Sequence, residues 1–158
     1  MIEAMWNEYI GNTNGANLPG SAVETNFPLL VRLTADNFPF SQAQPDGRDI
    51  RFCSPKGVPY PYQIEEWSNS MASIWVLIPS VAGNTQQEVV VYWGNADATN
   101  LSSGSSVFSR NNGFAAVMHL DGALKDDVGT LSPTNAGSTV GQGIIGRGRT
   151  MAAGQGVD

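Results

Sequence analysis

Cysteine occurs once, histidine once, and Lys and Arg together only eight times among the 158 residues. A single thiol, Cys53, cannot build an intrachain disulfide framework. At the end of the apolar run 50–52 it reads as a small buried hydrophobe. One histidine, His119, with one distant cysteine supplies no ligand set for a transition metal. Charged residues make up 14% of the chain, against about 25% in ordinary soluble domains. Net charge is −6 without clustered Lys or Arg, which excludes a phosphate backbone, and hence nucleic acid, as a partner. No apolar run approaches the ~18–20 residues that cross a bilayer, so no membrane span is expected. Residues 1–6 lack the basic start and apolar core of a signal peptide. Two readings are open: a piece of a longer secreted protein, or a protein released without a secretion signal, as virion parts are.

What fills the space left by charge is neutral and polar. Ser, Thr, Asn, Gln and 18 glycines give a surface of the kind found on extracellular β-proteins. Between residues 27 and 95, apolar runs alternate with Gly, Pro and Asp turns. The runs are 27–33, 49–52, 62–67, 74–78 and 88–95, rich in β-branched and aromatic residues. Short runs of this kind, punctuated by turns, predict an all-β fold, an antiparallel β-sandwich of jelly-roll type. In the first, Leu29, Val31 and Leu33 share one face and Leu30 and Arg32 the other, a half-buried strand. Phe38 and Phe40 are placed at an edge of the core, before the turn Gln44-Pro45-Asp46-Gly47. The run 74–78 is apolar on both faces, so it is central or covered by a neighbouring domain. The run 89–93 behaves likewise, and residues 80–85 are read as the connection of an antiparallel pair formed by these two. Nearer the amino terminus, one short strand is expected near 5–10, then a polar loop with turns at Asn14-Gly15 and Leu18-Pro19-Gly20-Ser21.

Composition shifts at 96–112 to Ser, Asn, Gly, Asp and Thr, the best candidate for a domain boundary. The division is therefore 1–110, a β-sandwich domain, and 111–158, a Gly-rich extension of short strands. Too few large apolar residues lie beyond 121 for an independent core. The extension reads as a partial lectin-like segment or an arm that packs on something else.

Three residue groups could carry chemistry. Tyr60, Tyr62 and Trp67 cluster around the Pro59–Pro61 turn, and exposed aromatic faces stack on the C–H faces of pyranose rings. On strict alternation Trp67 shares a face with Gln63 and Glu65, whose side chains would bind hydroxyls. The competing reading buries Trp67 in the core, as is expected of Trp75 and Trp93. Glu65 and Glu66 invite a glycosidase reading, which needs two carboxylates flanking one bond. Neighbours on a strand point to opposite faces, so these two cannot form that pair, and no catalytic residue is assigned. Asp46 and Asp49, around Gly47, would suit calcium, although the same pattern is ordinary turn chemistry. Asp121, Asp126 and Asp127 form a second acidic group with the same ambiguity.

Several stretches together resemble a bacterial surface-protein family of unknown function, domain of unknown function 2341. They are Phe27-Pro28-Leu29-Leu30-Val31-Arg32-Leu33, Asp46-Gly47-Arg48-Asp49-Ile50-Arg51-Phe52, Pro61-Tyr62-Gln63-Ile64-Glu65-Glu66-Trp67, Ile74-Trp75-Val76 and Tyr92-Trp93-Gly94-Asn95. The resemblance covers roughly residues 6–108, and their order is more specific than any one motif. It implies a neighbouring concanavalin A-like or laminin-G sandwich in large extracellular proteins. Phe114-Ala115-Ala116-Val117-Met118-His119-Leu120-Asp121 and Gly143-Ile144-Ile145-Gly146-Arg147-Gly148-Arg149 look like its opening strands, cut short. The family carries no established catalytic residues, so none is transferred.

Two functions from different classes remain. One is a non-catalytic extracellular module that binds a glycan or another protein surface, in adhesion. The other is a structural or assembly subunit of a filament, tail fibre or capsid, forming homo-oligomers through residues 111–158. An enzyme fragment ranks last, and no cofactor other than calcium at Asp46 and Asp49 is suggested. Cell surface or virion is the location that fits.

Overall fold

Two antiparallel sheets face each other across one apolar layer. The computed structural model describes residues 7–14, 23–83, 86–122 and 124–158, the first of these by backbone alone. The strands are β1 (Asn7–Asn14), β2 (Val23–Thr34), β3 (Arg51–Cys53), β4 (Pro59–Tyr60), β5 (Tyr62–Trp67), β6 (Met71–Ala82) and β7 (Gln86–Trp93). One sheet has the order β1-β7-β3-β4, the other β2-β6-β5. The turns expected at Gly15 and at 18–21 lie outside the described residues, as does Trp6. The strand expected near 5–10 runs instead to Asn14, because β1 pairs with β7 from Asn7 opposite Trp93 to Asn14 opposite Gln86. Main-chain pairing carries the polar stretch that composition reads as a loop.

β6 is central, as its two apolar faces require. Ala72, Ile74, Val76 and Ile78 point inward to the shared core, where Leu33, Phe52, Tyr62, Val89, Val91 and Trp93 meet them. Phe52, Ile50, Ile74 and Val76 are the largest of its wholly buried side chains, each contributing roughly 1.5–3 kcal/mol by leaving water. β2 is an edge strand, so Pro28, which has no N–H to give, costs it no ladder bond on the open side. Cys53 is free and buried.

β6 and β7 do not pair with each other. Each is already flanked on both sides, β6 by β2 and β5 and β7 by β1 and β3, so the two lie in different sheets and the chain passes from one sheet to the other after β6. Gln87 secures the described part of this crossing, donating to the Ser80 carbonyl (3.0 Å) and accepting from Ala82 N–H (2.8 Å).

The segment after β7 packs on the sandwich. Arg51 donates to the Thr99 carbonyl (2.6 Å), Ser103 N–H to the Tyr62 carbonyl (2.9 Å), and Ile64 N–H to Ser102 Oγ (2.8 Å). These bonds close the open edge of β5. A helical turn, α1 (Gly104–Val107), comes next, and Val107 and Phe108 are buried. Residues 114–121, expected as an opening strand of a second sandwich, contain no strand. The extension has four short strands, β8 (Asn135–Ala136), β9 (Thr139–Gln142), β10 (Arg147–Thr150) and β11 (Gly156–Val157), paired as β9 with β10 and β8 with β11.

Candidate functional site

The residues singled out between 60 and 67 separate into three environments. Two features of the backbone cause this. At Pro61 the chain leaves one sheet for the other: Tyr60 pairs with Phe52 in the four-stranded sheet, and Tyr62 with Val76 in the three-stranded one. Further on, the register of β5 against β6 slips between Ile64 and Glu66, a β-bulge that leaves Glu65 unpaired. The bulge reverses the parity of the residues beyond it. Trp67 then faces Ala72 on the core side, while Gln63, opposite Trp75, and Glu65 stay on the outer face.

Trp67 is therefore part of the interior, contrary to its placement beside Gln63 and Glu65. It stands edge-on to Phe38 (5.9 Å) and Phe40 (5.4 Å), and a Cβ at Gly47 would lie 2.5 Å from its ring. Gly47 also has φ +68°, so both its backbone conformation and the ring above it require glycine.

Asp46 and Asp49, expected as calcium ligands, are engaged elsewhere. Asp49 is fully buried and accepts from Gln44 N–H (2.9 Å) and Gly94 N–H (2.7 Å). Asp46 accepts from Arg48 N–H and lies 3.7 Å from its guanidinium. Asp126, in the second acidic group, is also structural. It accepts from the N–H groups of Val117, Val128, Thr130 and Leu131. These bonds, led by that from Val117 and opposed by burial, hold its carboxyl far below the usual carboxylate range. Among the described residues, no group of three or more His, Cys, Asp or Glu side chains is arranged to hold a metal ion.

Tyr60 and Tyr62 line a cleft of about 660 Å³. β3 lines it together with Gly57, Pro59, Pro61, Tyr92, Leu101 and Ser106. The rim is set by the β3–β4 turn, where Gly57 N–H reaches the Ser54 carbonyl (2.9 Å) and Gly57 takes φ +79°. Arg51 is the charged residue in the lining, and its guanidinium is already committed. It donates to the carbonyls of Arg48, Ile50 and Thr99 and to the Tyr62 hydroxyl. Burial raises the Tyr62 phenol above its ordinary value, with Arg51 opposing, so this ring stays a neutral hydroxyl through physiological pH. Tyr62, expected as an exposed ring, is only 3% exposed, so the cleft offers the half-buried rings of Tyr60 and Tyr92 beside Pro59 and Pro61.

Gln63 and Glu65 serve a second site, on the outer face of the three-stranded sheet. His119 lies over them with Nδ1 3.1 Å from Glu65 Oε2 and Nε2 3.1 Å from Asp127 Oδ2. Gln63 bridges the pair, donating to Asp127 Oδ2 (2.6 Å) with its carbonyl 3.1 Å from His119 Nε2. The Trp75 indole donates to Glu65, and Lys125 lies 2.7 Å from Asp127 Oδ1. Phe108 covers the ring of His119 and meets Trp75 edge-on. His119, Lys125 and Asp127 carry no local motif that links them to residue 65. The only advance signal was Trp75, an aromatic on the far face of a strand that needs covering.

Residues 46–122 match the model of a family described as a domain of unknown function, DUF2341. The match starts at the Asp46 turn, takes in the cleft, and continues past His119. It thus includes the stretch 114–121, expected from the sequence to open a lectin-like neighbour. No curated protein and no solved structure matches the chain.

Proposed function

We propose that the protein is a non-catalytic extracellular interaction module that seats a neutral glycan in the tyrosine cleft. The observation that carries this reading is the cleft itself, with the half-buried rings of Tyr60 and Tyr92 at the Pro59–Pro61 corner and the buried Tyr62 behind them. Flat aromatic faces match the apolar faces of a sugar ring, and hydroxyls at their edges match its polar rim. The committed guanidinium of Arg51 and the net charge of −6 favour an uncharged ligand over an acidic one. None of the described lining residues is a carboxylate or a histidine, which speaks against acid–base chemistry in the cleft.

A panel of immobilised neutral glycans, with titration calorimetry of any hit, tests the reading. Tyr60→Ala and Tyr92→Ala are each expected to weaken binding about tenfold, equivalent to about 1.4 kcal/mol. Absence of binding to every glycan by a cooperatively folded protein ends it.

A second reading, a subunit of an assembly joined through residues 111–158, is favoured by one observation. Leu131, Val140 and Met151 are exposed, and Ile144, at the tip of the β9–β10 hairpin, is 94% exposed. On this reading light scattering after size exclusion gives a multiple of 16.8 kDa, and Ile144→Ser returns the monomer. A wild-type monomer at all accessible concentrations sinks it.

A further inference from the structure

His119 is the chain's one histidine, and it joins two parts of the molecule. We propose that it is a proton-operated latch. The imidazolium, clasped between Glu65 of β5 and Asp127, fastens residues 114–127 to the outer face of the sandwich and lets go on losing its proton.

Geometry requires the charged ring. Both nitrogens face carboxylate oxygens at 3.1 Å, and only imidazolium has an N–H at each. In the neutral ring, one nitrogen lone pair would face a carboxylate. Both carboxylates are nearly closed off from water, with 4% side-chain exposure each. The Trp75 indole also bonds Glu65, and Lys125 also bonds Asp127. With His119 protonated, two cations balance two anions. Without that proton, a net negative charge remains in a poorly hydrated place, next to Asp121. The cations on neighbouring elements serve other acceptors: Arg149 of β10 reaches the Gly122 carbonyl, and Arg32 of β2 the Ile144 carbonyl.

Burial alone would lower the basicity of the ring. The hydrogen bond from Glu65 and the charges of Glu65, Asp127 and Asp121 outweigh it, and His119 is raised above its ordinary 6.5. A base whose folded value exceeds its unfolded one stabilises fully below the unfolded value and loses that contribution as pH rises through the folded one. The segment is therefore fully fastened below 6.5 and loosens as pH rises through the raised midpoint. Loosening would part Phe108 from Phe114 and His119 and so uncover its ring.

Nuclear magnetic resonance of the isotope-labelled wild-type chain reads this directly, since the lone imidazole gives one titration curve. Its midpoint is expected above 6.5, and the amides of residues 114–127 and the Trp75 indole N–H are expected to shift along the same curve. Opening of the segment should rise with pH between 6.5 and the midpoint, by at most about tenfold per unit. Glu65→Gln and Asp127→Asn should each lower the midpoint, and His119→Gln should abolish the transition. A wild-type midpoint at or below 6.5, or a titration that leaves the 114–127 amides unmoved, overturns the proposal even if every variant fails to fold.

Discussion

Asp49→Ala should cost the fold about 2–5 kcal/mol, seen as an earlier denaturant midpoint at unchanged slope. The carboxylate is wholly buried and joins two segments far apart in sequence: the Gln44 N–H ahead of β3 and the Gly94 N–H just past β7. Removing it strands two amide donors, each worth roughly 1–3 kcal/mol when left unpaired. Asparagine keeps the shape and one acceptor but turns an NH₂ toward the other donor, so Asp49→Asn should fall between alanine and wild type. The same melts decide the calcium question. A ligand that binds only the folded chain raises its melting temperature by mass action, whereas a wholly buried carboxylate bonded at each oxygen to an amide is closed to a cation. Millimolar calcium is accordingly expected to leave the wild-type melting temperature where it is.

This carboxylate also shows where reading residues in order succeeds and where it stops. The Asp-Gly-Arg-Asp stretch announced a turn, and a turn forms, with Gly47 at positive φ. What the turn is fastened to lies 45 residues away at Gly94, and no local pattern encodes that. The strands obey the same logic. Period-two patterning located β2, β5, β6 and β7 and marked β6 as covered on both sides, because burial on a pleated ladder is a local property. Partner choice is global: β6 and β7, adjacent in sequence, lie in different sheets because each has two other neighbours. In β5, one unpaired residue was enough to invalidate strict alternation. Residues before Glu65 keep the expected faces, and Trp67 after it does not.

The site was legible to the extent that it depends on composition. Tyr60 and Tyr62 do line a cleft at the Pro59–Pro61 corner, where aromatic and proline residues were concentrated. Tyr92 and Leu101 complete it from distant segments. Gln63 and Glu65, polar residues on a half-covered strand, read as groups facing solvent and a ligand. The Glu65 carboxylate is instead nearly closed off from water and Gln63 half-buried, because His119 and Asp127 lie over them. The shift of 96–112 to Ser, Asn, Gly, Asp and Thr suggested a boundary; two of its serines, Ser102 and Ser103, hydrogen-bond to β5.

Gly104→Ala provides the sharpest test of that docking, with an expected loss of about 2–4 kcal/mol. Gly104 opens the helical turn α1, and its φ is not in the left-handed region, so alanine is conformationally acceptable there. Space is the obstacle. A Cβ at this position would overlap the carboxyl carbon and both oxygens of Asp127. The backbone of α1 is thus the wall that holds Asp127 against His119, Gln63 and Lys125. Alanine must push the carboxylate away and loosen its grip on the imidazole. Two readouts should therefore move together: the denaturation midpoint falls, and the His119 titration midpoint falls toward 6.5. Combining Gly104→Ala with Asp127→Ser, which shortens the obstructing side chain, should cost less than the two single changes added. Strict additivity, or a Gly104→Ala chain with wild-type stability and an unmoved histidine, would mean that α1 does not brace the carboxylate.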